Sequence, residues 1–221
     1  MATKKTVDPT VLEMLEQAKQ LGISTPFDRA ETTKPCPIGR DGNCCKHCFM
    51  GPCRLVGKTT TGVCGATLEV VQARNLARMI AAGTASHADH GRNMAMSLIA
   101  VAQGHAPGYT IKDERKLYKV AEYMDVDTKD KTKEEIALEI GRIALAEFGR
   151  QEGTLIYLKR ATKKRQEIWA STGIAPRGID REVTEMMHRT HMGCDQDAEH
   201  ILDQALRTSL ADGWGGAMLS T

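Results

Sequence analysis

The sequence has few aromatic residues, almost no excess of charge and no long apolar run. Aromatic side chains make up 4% of the 221 residues, too few for a surface on which bases of single-stranded nucleic acid could stack. The formal net charge is only +2, so composition gives no basis for nucleic-acid binding. The longest uncharged stretch, residues 94–111, is interrupted by Gln103, His105 and Pro107. Because a helix needs about 20 apolar residues to span a bilayer, we expect no transmembrane segment.

A signal peptide is also lacking, because the first ten residues are polar and contain no apolar core. We therefore expect a cytoplasmic protein. Thiols stay reduced in that compartment, so clustered cysteines bind metal there more often than they form disulfides.

Cysteine is the residue that the sequence concentrates, with six of seven between positions 36 and 64. Four of them have the spacing Cys-x2-Cys-x4-Cys-x10-Cys, and we call them the cysteine quartet: Cys45, Cys48, Cys53 and Cys64. Three close cysteines with a distant fourth are common in iron–sulfur proteins, whereas structural zinc sites usually pair two short Cys-x-x-Cys segments. The spacing favours an iron–sulfur cluster. A zinc site remains an alternative, as do cysteines that are unliganded or joined in disulfides.

Cys36 and Cys44, which we call the cysteine pair, fall outside this spacing. Consecutive residues of an extended chain point to opposite sides, so Cys44 and its neighbour Cys45 should serve different sites. Two thiolates do not complete a four-ligand site, but a two-fold symmetric dimer would supply four. The alternative is that both are unliganded thiols.

Most of the remaining sequence has helical periodicity, which predicts an all-α fold with one irregular cysteine-rich loop over residues 35–65. Asp8-Pro9 and the capping box Thr132-x-x-Glu135 are helix start signals. We predict a connector over 24–33, one helix ending at Gly83 and another starting at Ser86. Further helices are predicted over residues 113–124, 167–170, 182–191 and 197–210. The glycines near the C-terminus, in 213–216, suggest a chain that is cut short.

Several motifs of the chain occur together in one known family. They are Cys36-x2-Gly39-x2-Gly42-x-Cys44-Cys45-x2-Cys48-x-Met50-Gly51-Pro52-Cys53-Arg54, Gly62-Val63-Cys64-Gly65-Ala66, Ala73-Arg74-Asn75, His87-x2-His90-Gly91, Met187-His188-Arg189-Thr190 and Asp212-Gly213-Trp214-Gly215-Gly216. With these motifs the chain resembles the anaerobic nickel–iron carbon monoxide dehydrogenases over essentially all of its length.

The resemblance implies that residues 1–221 are the N-terminal helical domain of such an enzyme, with its two C-terminal α/β domains absent. The cysteine quartet would hold a [4Fe–4S] cluster, the B-cluster. The cysteine pair would match the ligands of the D-cluster, shared between the subunits of a homodimer, for which we expect [4Fe–4S] and keep [2Fe–2S] as possible. Both clusters would carry electrons.

The complete enzyme converts CO and water to CO2, two protons and two electrons at a Ni-4Fe-4S centre, the C-cluster. The resemblance implies that its ligands lie in the later domains, so the chain alone is expected to be inactive. The electron acceptor would be a ferredoxin-like protein, an acetyl-CoA synthase or a hydrogenase.

His87 and His90 match the first two positions of a histidine ladder that carries protons in the family. Asn93 and Met96 stand where further histidines would fall, so the ladder is shortened here. Judged without the resemblance, the two histidines are ordinary surface or interface residues.

Other residues near the loop have weaker signals. Lys46, His47, Arg54 and Lys58 would surround the clusters with positive charge, or form a solvated surface. Cys194 is predicted to be a buried structural cysteine in a helix. Two alternatives to the family assignment remain: a stand-alone ferredoxin-like electron carrier and a zinc-stabilised helical interaction module.

Overall fold

The computed structural model describes residues 5–219, and these residues form an all-α fold, as the sequence predicts. In chain order the elements are α1 (Pro9–Gln20), α2 (Pro26–Thr33), α3 (Pro37–Arg40), β1 (Cys44–Cys45), β2 (Cys53–Arg54), α4 (Leu68–Ala102), α5 (Glu114–Tyr123), α6 (Lys133–Gly149), a 3₁₀ helix (Ile156–Arg160), α7 (Lys163–Ser171), α8 (Ile179–Arg189) and α9 (Ala198–Leu219). The two-residue strands β1 and β2 pair antiparallel. No helix in 5–219 is long and apolar enough to cross a membrane.

Helix α4 is the central element, and it packs along α9, α6 and α8. Its C-terminal half joins α5, α6 and α9 around a core that includes Ile136, Ile140 and Trp214. Its N-terminal half joins α8 and α9 beneath the cysteine-rich loop, where Leu55 and Met186 are buried. One helix therefore supports both the cysteine loop and the helical core.

The prediction that one helix ends at Gly83 and another starts at Ser86 is wrong, because α4 continues through both positions as a helix of 35 residues. A glycine inside a helix costs only about 1 kcal/mol relative to alanine. Packing offsets that cost: Thr84 is buried, and its hydroxyl donates to the carbonyls of Ile80 at 2.9 Å and of Thr208, on α9, at 3.3 Å.

The connector predicted over residues 24–33 is also wrong, since most of it is helix α2. Thr25 and Asp28 form a capping box in which the Thr25 N–H donates to the Asp28 carboxylate at 2.9 Å. Pro26 at the first helical position adds to this start signal.

Glycines 213, 215 and 216 lie inside helix α9, which runs nine residues beyond the predicted 210. A Cβ atom on Gly215 would lie 2.7 Å from the backbone carbonyl carbon and oxygen of His87. Gly91 on α4 faces the same contact, because its Cβ would lie 3.1 Å from Gly215 Cα. Gly91 and Gly215 therefore let α4 and α9 approach closely.

Gly215→Ala should therefore lower the free energy of unfolding by about 1–3 kcal/mol, the usual cost of overpacking a core. The neighbouring Gly216 is a matched control, since its Cβ would meet nothing within 4 Å. Gly216→Ala should leave stability unchanged or raise it by up to about 1 kcal/mol, because alanine favours the helix. Urea unfolding followed by circular dichroism measures both, and equal effects would contradict the close approach at Gly215.

Candidate cysteine-lined metal centre

The cysteine-rich loop is a short hairpin held against α4. Cys45 pairs with Cys53 and Cys44 pairs with Arg54 across β1 and β2. The side-chain amide of Asn75, on α4, donates to the carbonyls of Gly42 at 3.0 Å and Cys44 at 3.2 Å. Because these bonds satisfy backbone acceptors of an irregular segment, they fix the loop on the helix.

All four cysteines of the quartet line one small pocket between the loop and α4. The other lining residues are His47, Gly62, Val63, Ala66, Val71, Arg74 and Met192. Cys45 is buried, and the other three thiols are half-buried. Residues spread over 20 positions of sequence thus converge on a single site.

Within 5–219, no group of three or more His, Cys, Asp or Glu side chains is placed to hold a single metal ion. Tetrahedral zinc requires four ligands at about 2.3 Å from one centre. An iron–sulfur cluster instead takes four thiolates around a polynuclear core, so the pocket fits a cluster better than a lone zinc ion.

Cys64 lies among several hydrogen-bond donors. Burial alone would raise the pKa of its thiol, but the backbone N–H of Ala66, the guanidinium of Arg74 and the N–H of Gly193 donate toward the sulfur and bring the pKa to about 7. The distance from Arg74 Nη1 to Cys64 Sγ is 3.5 Å. Thiolate is the form that binds metal, so these donors prepare Cys64 as a ligand.

Arg74 is 1% exposed and lines the pocket directly. Its Nη2 donates to the backbone carbonyl of Asp195 at 2.5 Å. Its Nε is buried and has no hydrogen-bond partner within the described residues. A buried donor without a partner is costly, and the sulfur atoms of a cluster would accept from it. The residues present therefore fit an iron–sulfur cluster.

His47 also lines the pocket, but it does not supply the positive charge expected from the sequence. Burial, with the nearby charge of Arg78, lowers the pKa of His47 below its usual range, so the imidazole is neutral at pH 7. Its Nε2 lies 3.0 Å from Asn75 Oδ1. Lys46, Arg54 and Lys58 are exposed, so the buried positive charge at this pocket comes from Arg74.

The cysteine pair lies apart from the quartet, and neither member lines the pocket. Cys36 is exposed and precedes α3, where the N–H groups of Gly39 and Ile38 lower the pKa of its thiol. Cys44 is half-buried next to the buried Cys45. The two adjacent cysteines therefore have different environments, and their assignment to separate sites stays a prediction.

The prediction for Cys194 is wrong in both respects. Cys194 is exposed and lies in a turn, not in a helix. That turn, residues 191–197, crosses back over the pocket, where it contributes Met192. Cys194 itself does not line the pocket.

The two predicted relay histidines differ in their surroundings. Both side chains are exposed, but His87 Nδ1 lies 2.8 Å from Asp212 Oδ1 on α9. Asn93 and Met96 are exposed as well. Asp212 is a partner that the sequence did not single out, because it lies 125 positions from His87.

The chain matches known proteins over nearly its whole length. The model of the Prismane/CO dehydrogenase family matches residues 43–221. Carbon monoxide dehydrogenase 1 of Methanosarcina acetivorans is 48% identical over 100% of this chain and 36% of its own length. The carbon monoxide dehydrogenase/acetyl-CoA synthase subunit beta of Moorella thermoacetica is 38% identical over 94% of this chain. The chain thus spans about a third of the length of the curated relatives it matches.

Solved structures show the same relationship. Carbon monoxide dehydrogenase from Thermococcus sp. AM4, in an as-isolated Ni-free form, superposes with a TM-score of 0.86 at 43% identity, over 98% of this chain and 35% of its own. An acetyl-CoA synthase/carbon monoxide dehydrogenase with NiZn[Fe4S4] and NiNi[Fe4S4] clusters in its alpha subunits gives a TM-score of 0.86 at 37% identity, over 97% of this chain and 33% of its own.

The environment of Cys64 predicts its reactivity in the iron-free chain. Alkylation of Cys64 by iodoacetamide should reach half its maximal rate near pH 7. In the denatured chain the half-maximal rate should be reached at about pH 8.5, the usual pKa of a cysteine thiol. Mass spectrometry of peptides alkylated over a pH series measures both. A half-maximal rate at the same pH in folded and denatured chains would contradict the arrangement of donors around the sulfur.

Proposed function

The chain belongs to the Prismane/CO dehydrogenase family, and we propose that it is the electron-transferring and dimer-forming part of an anaerobic nickel–iron carbon monoxide dehydrogenase. One observation carries the proposal: the four cysteines of the quartet line a single pocket, while the adjacent Cys44 lies outside it. Residues 1–221 would then be one N-terminal helical domain whose loop 35–65 provides the cluster ligands.

The cysteine quartet is the proposed ligand set of a [4Fe–4S] group, the B-cluster. When bound, such a group accepts and donates single electrons. The chain's own contribution is to gather four thiols, to favour the thiolate of Cys64 and to cover the site with Met192 and Val71. Burial by these apolar side chains limits the access of water, which is one determinant of cluster potential.

The cysteine pair is the proposed half-site of the D-cluster, completed by the same two cysteines of a second copy. Two supports come from this chain: Cys36 is exposed, and α1, α2 and α3 have no buried residues. An exposed thiol beside helices with little packing of their own is available to a partner subunit. The bridging group would be [4Fe–4S], with [2Fe–2S] as the alternative.

The proposed activity belongs to the complete protein: CO and water give CO2, two protons and two electrons. We place the Ni-4Fe-4S centre outside these 221 residues, because the chain spans about a third of its relatives. The chain by itself is proposed to be inactive in CO oxidation. A ferredoxin-like protein, an acetyl-CoA synthase or a hydrogenase would receive the electrons.

His87 is the proposed proton acceptor of this chain. Its Nδ1 lies 2.8 Å from the carboxylate of Asp212, an arrangement in which a carboxylate orients an imidazole. His90, one turn further along α4, is exposed and would pass the proton outward. Asp212 acts through His87 and is therefore a positioning residue.

The cluster assignment predicts different spectra for two neighbouring variants. In the complete protein, Cys45→Ser should abolish the electron paramagnetic resonance (EPR) signal of one [4Fe–4S] group and leave the bridging group intact. Cys44→Ser should retain that signal and weaken the dimer, as measured by size-exclusion chromatography with light scattering. Loss of the same signal in both variants would refute the separate sites, and stoichiometric zinc without iron in the unsubstituted protein would favour a zinc-stabilised module.

The proton-transfer assignment predicts a graded loss of activity. In the complete protein, His87→Ala should lower kcat for CO oxidation by about 100-fold, the usual contribution of a general base. Asp212→Asn should lower it less, because the imidazole remains. Asp89, an exposed carboxylate on the same helix, is the control, and Asp89→Asn should retain the original kcat. Full activity of the Asp212→Asn variant would contradict the role of this pair.

A further inference from the structure

Arg74 carries a buried positive charge that the fold leaves without a carboxylate partner. The side chain is 1% exposed, and its two hydrogen-bond acceptors are Cys64 Sγ and the Asp195 backbone carbonyl. Within residues 5–219 it makes no ion pair with Asp or Glu. The carboxylate of Asp195, whose backbone carbonyl accepts from Arg74, is bound instead by Arg189 at 2.8 Å.

This arrangement is unusual because buried charges are normally paired. A guanidinium stays protonated at any accessible pH, and an uncompensated buried cation is strongly unfavourable. The group near Arg74 that can supply negative charge is the Cys64 sulfur at 3.5 Å, which is negative only as a thiolate. A thiolate at Cys64 would therefore compensate the charge of Arg74.

The other cations near the loop are exposed, except Arg78, which is half-buried and interacts electrostatically with Cys45. Lys46, Arg54 and Lys58 are exposed, and water and salt screen charges at such positions. Arg78, one turn along α4, directs Nε to the Thr190 hydroxyl at 2.6 Å and Nη2 to the Met187 carbonyl at 3.3 Å. Arg74 is thus the arginine that both lines the pocket and donates to a quartet sulfur.

Arg74 also ties the fourth cysteine to the turn 191–197, which lies far away in sequence. Its bond to Asp195 is joined by one from Gln196 Nε2 to the Cys64 carbonyl at 3.0 Å. Arg189 fixes the same turn to α8, because it also binds Glu185 at 3.0 Å. The position of Cys64 therefore depends on a hydrogen-bonded connection that passes through Arg74.

We propose that Arg74 positions Cys64 and raises the reduction potential of the group held by the cysteine quartet. The proposal rests on the proposed function, in which that group is a [4Fe–4S] cluster. Reduction adds one negative charge to the cluster, and a nearby buried cation stabilises the reduced form more than the oxidised form. Removal of the charge should therefore make the midpoint potential more negative.

The test is an EPR-monitored redox titration of the complete protein, read on the signal that Cys45→Ser removes. Arg74→Met keeps an unbranched, largely apolar side chain and loses the charge. It should reduce the equilibrium constant for reduction about tenfold, which is a shift of about 59 mV for a one-electron couple. Arg74→Lys keeps the charge and should stay closer to the original potential.

Arg92 provides the matched control on the same helix. It is paired with Asp180 at 2.7 Å and lies about 27 Å along α4 from Arg74, from a rise of about 1.5 Å per residue. Arg92→Met should leave the midpoint potential unchanged. An Arg74→Met protein with full iron content and the original potential would overturn the proposal.

If the Arg74→Met protein does not bind a cluster, its potential cannot be measured, and the iron content of the variants is compared instead. The charge argument then expects Arg74→Lys to restore iron, and an Arg74→Lys protein as iron-poor as Arg74→Met would overturn it. If the cluster assignment itself is wrong, the unsubstituted protein will already lack iron in the quartet. That result is distinct from a failure of the proposal about Arg74.

Discussion

The close packing of α4 against α9 is the constraint on which the rest of the structure depends. The two helices meet where Gly91 and Gly215 leave no room for a Cβ, and the contact continues at Thr84 and Thr208. Since α4 has 35 residues, its packing fixes two distant places at once. Its first turns carry Arg74 and Asn75 under the cysteine loop, and its middle carries His87 opposite Asp212. A shift of α9 along α4 would disturb both the quartet pocket and the His87 pair.

A second constraint is the negative charge that thiolates would bring to the cysteine pocket. The loop brings four thiols together in a partly buried space, and several thiolates in one place repel one another unless cations or metal compensate them. Three separate segments supply hydrogen-bond donors to the Cys64 sulfur: the loop at Ala66, α4 at Arg74 and the turn at Gly193. His47 contributes little charge, because burial and the neighbouring arginines keep its imidazole neutral. The pocket is therefore balanced by one buried guanidinium and by backbone dipoles.

The parts of the fold that the sequence predicted are those governed by local rules. Helix starts at Asp8 and Thr132 follow from capping, and the grouping of the cysteine quartet follows from spacing. The errors arise where tertiary contacts decide. Gly83 does not end a helix, because the adjacent Thr84 packs against α9 and bonds to it. Cys194 is exposed because its segment forms a turn over the pocket. The burial of Arg74 could have been predicted from the sequence, because this charged residue lies on the same helix face as Val70, Ala77 and Ala81, which are all buried. The pairing of His87 with Asp212 has no local pattern in the sequence that would predict it.

The adjacency of Cys44 and Cys45 shows how a local rule can have a long-range consequence. In β1 the two residues point to opposite sides; Cys45 faces the quartet pocket and Cys44 does not. On the proposed assignment, a single peptide unit then separates a ligand of one cluster from a ligand of the next. Covalent distance along the backbone fixes the spacing of the two sites, so it does not depend on side-chain packing. The second site needs thiols from another copy, so the same peptide unit would make dimer formation a condition for electron flow out of the pocket.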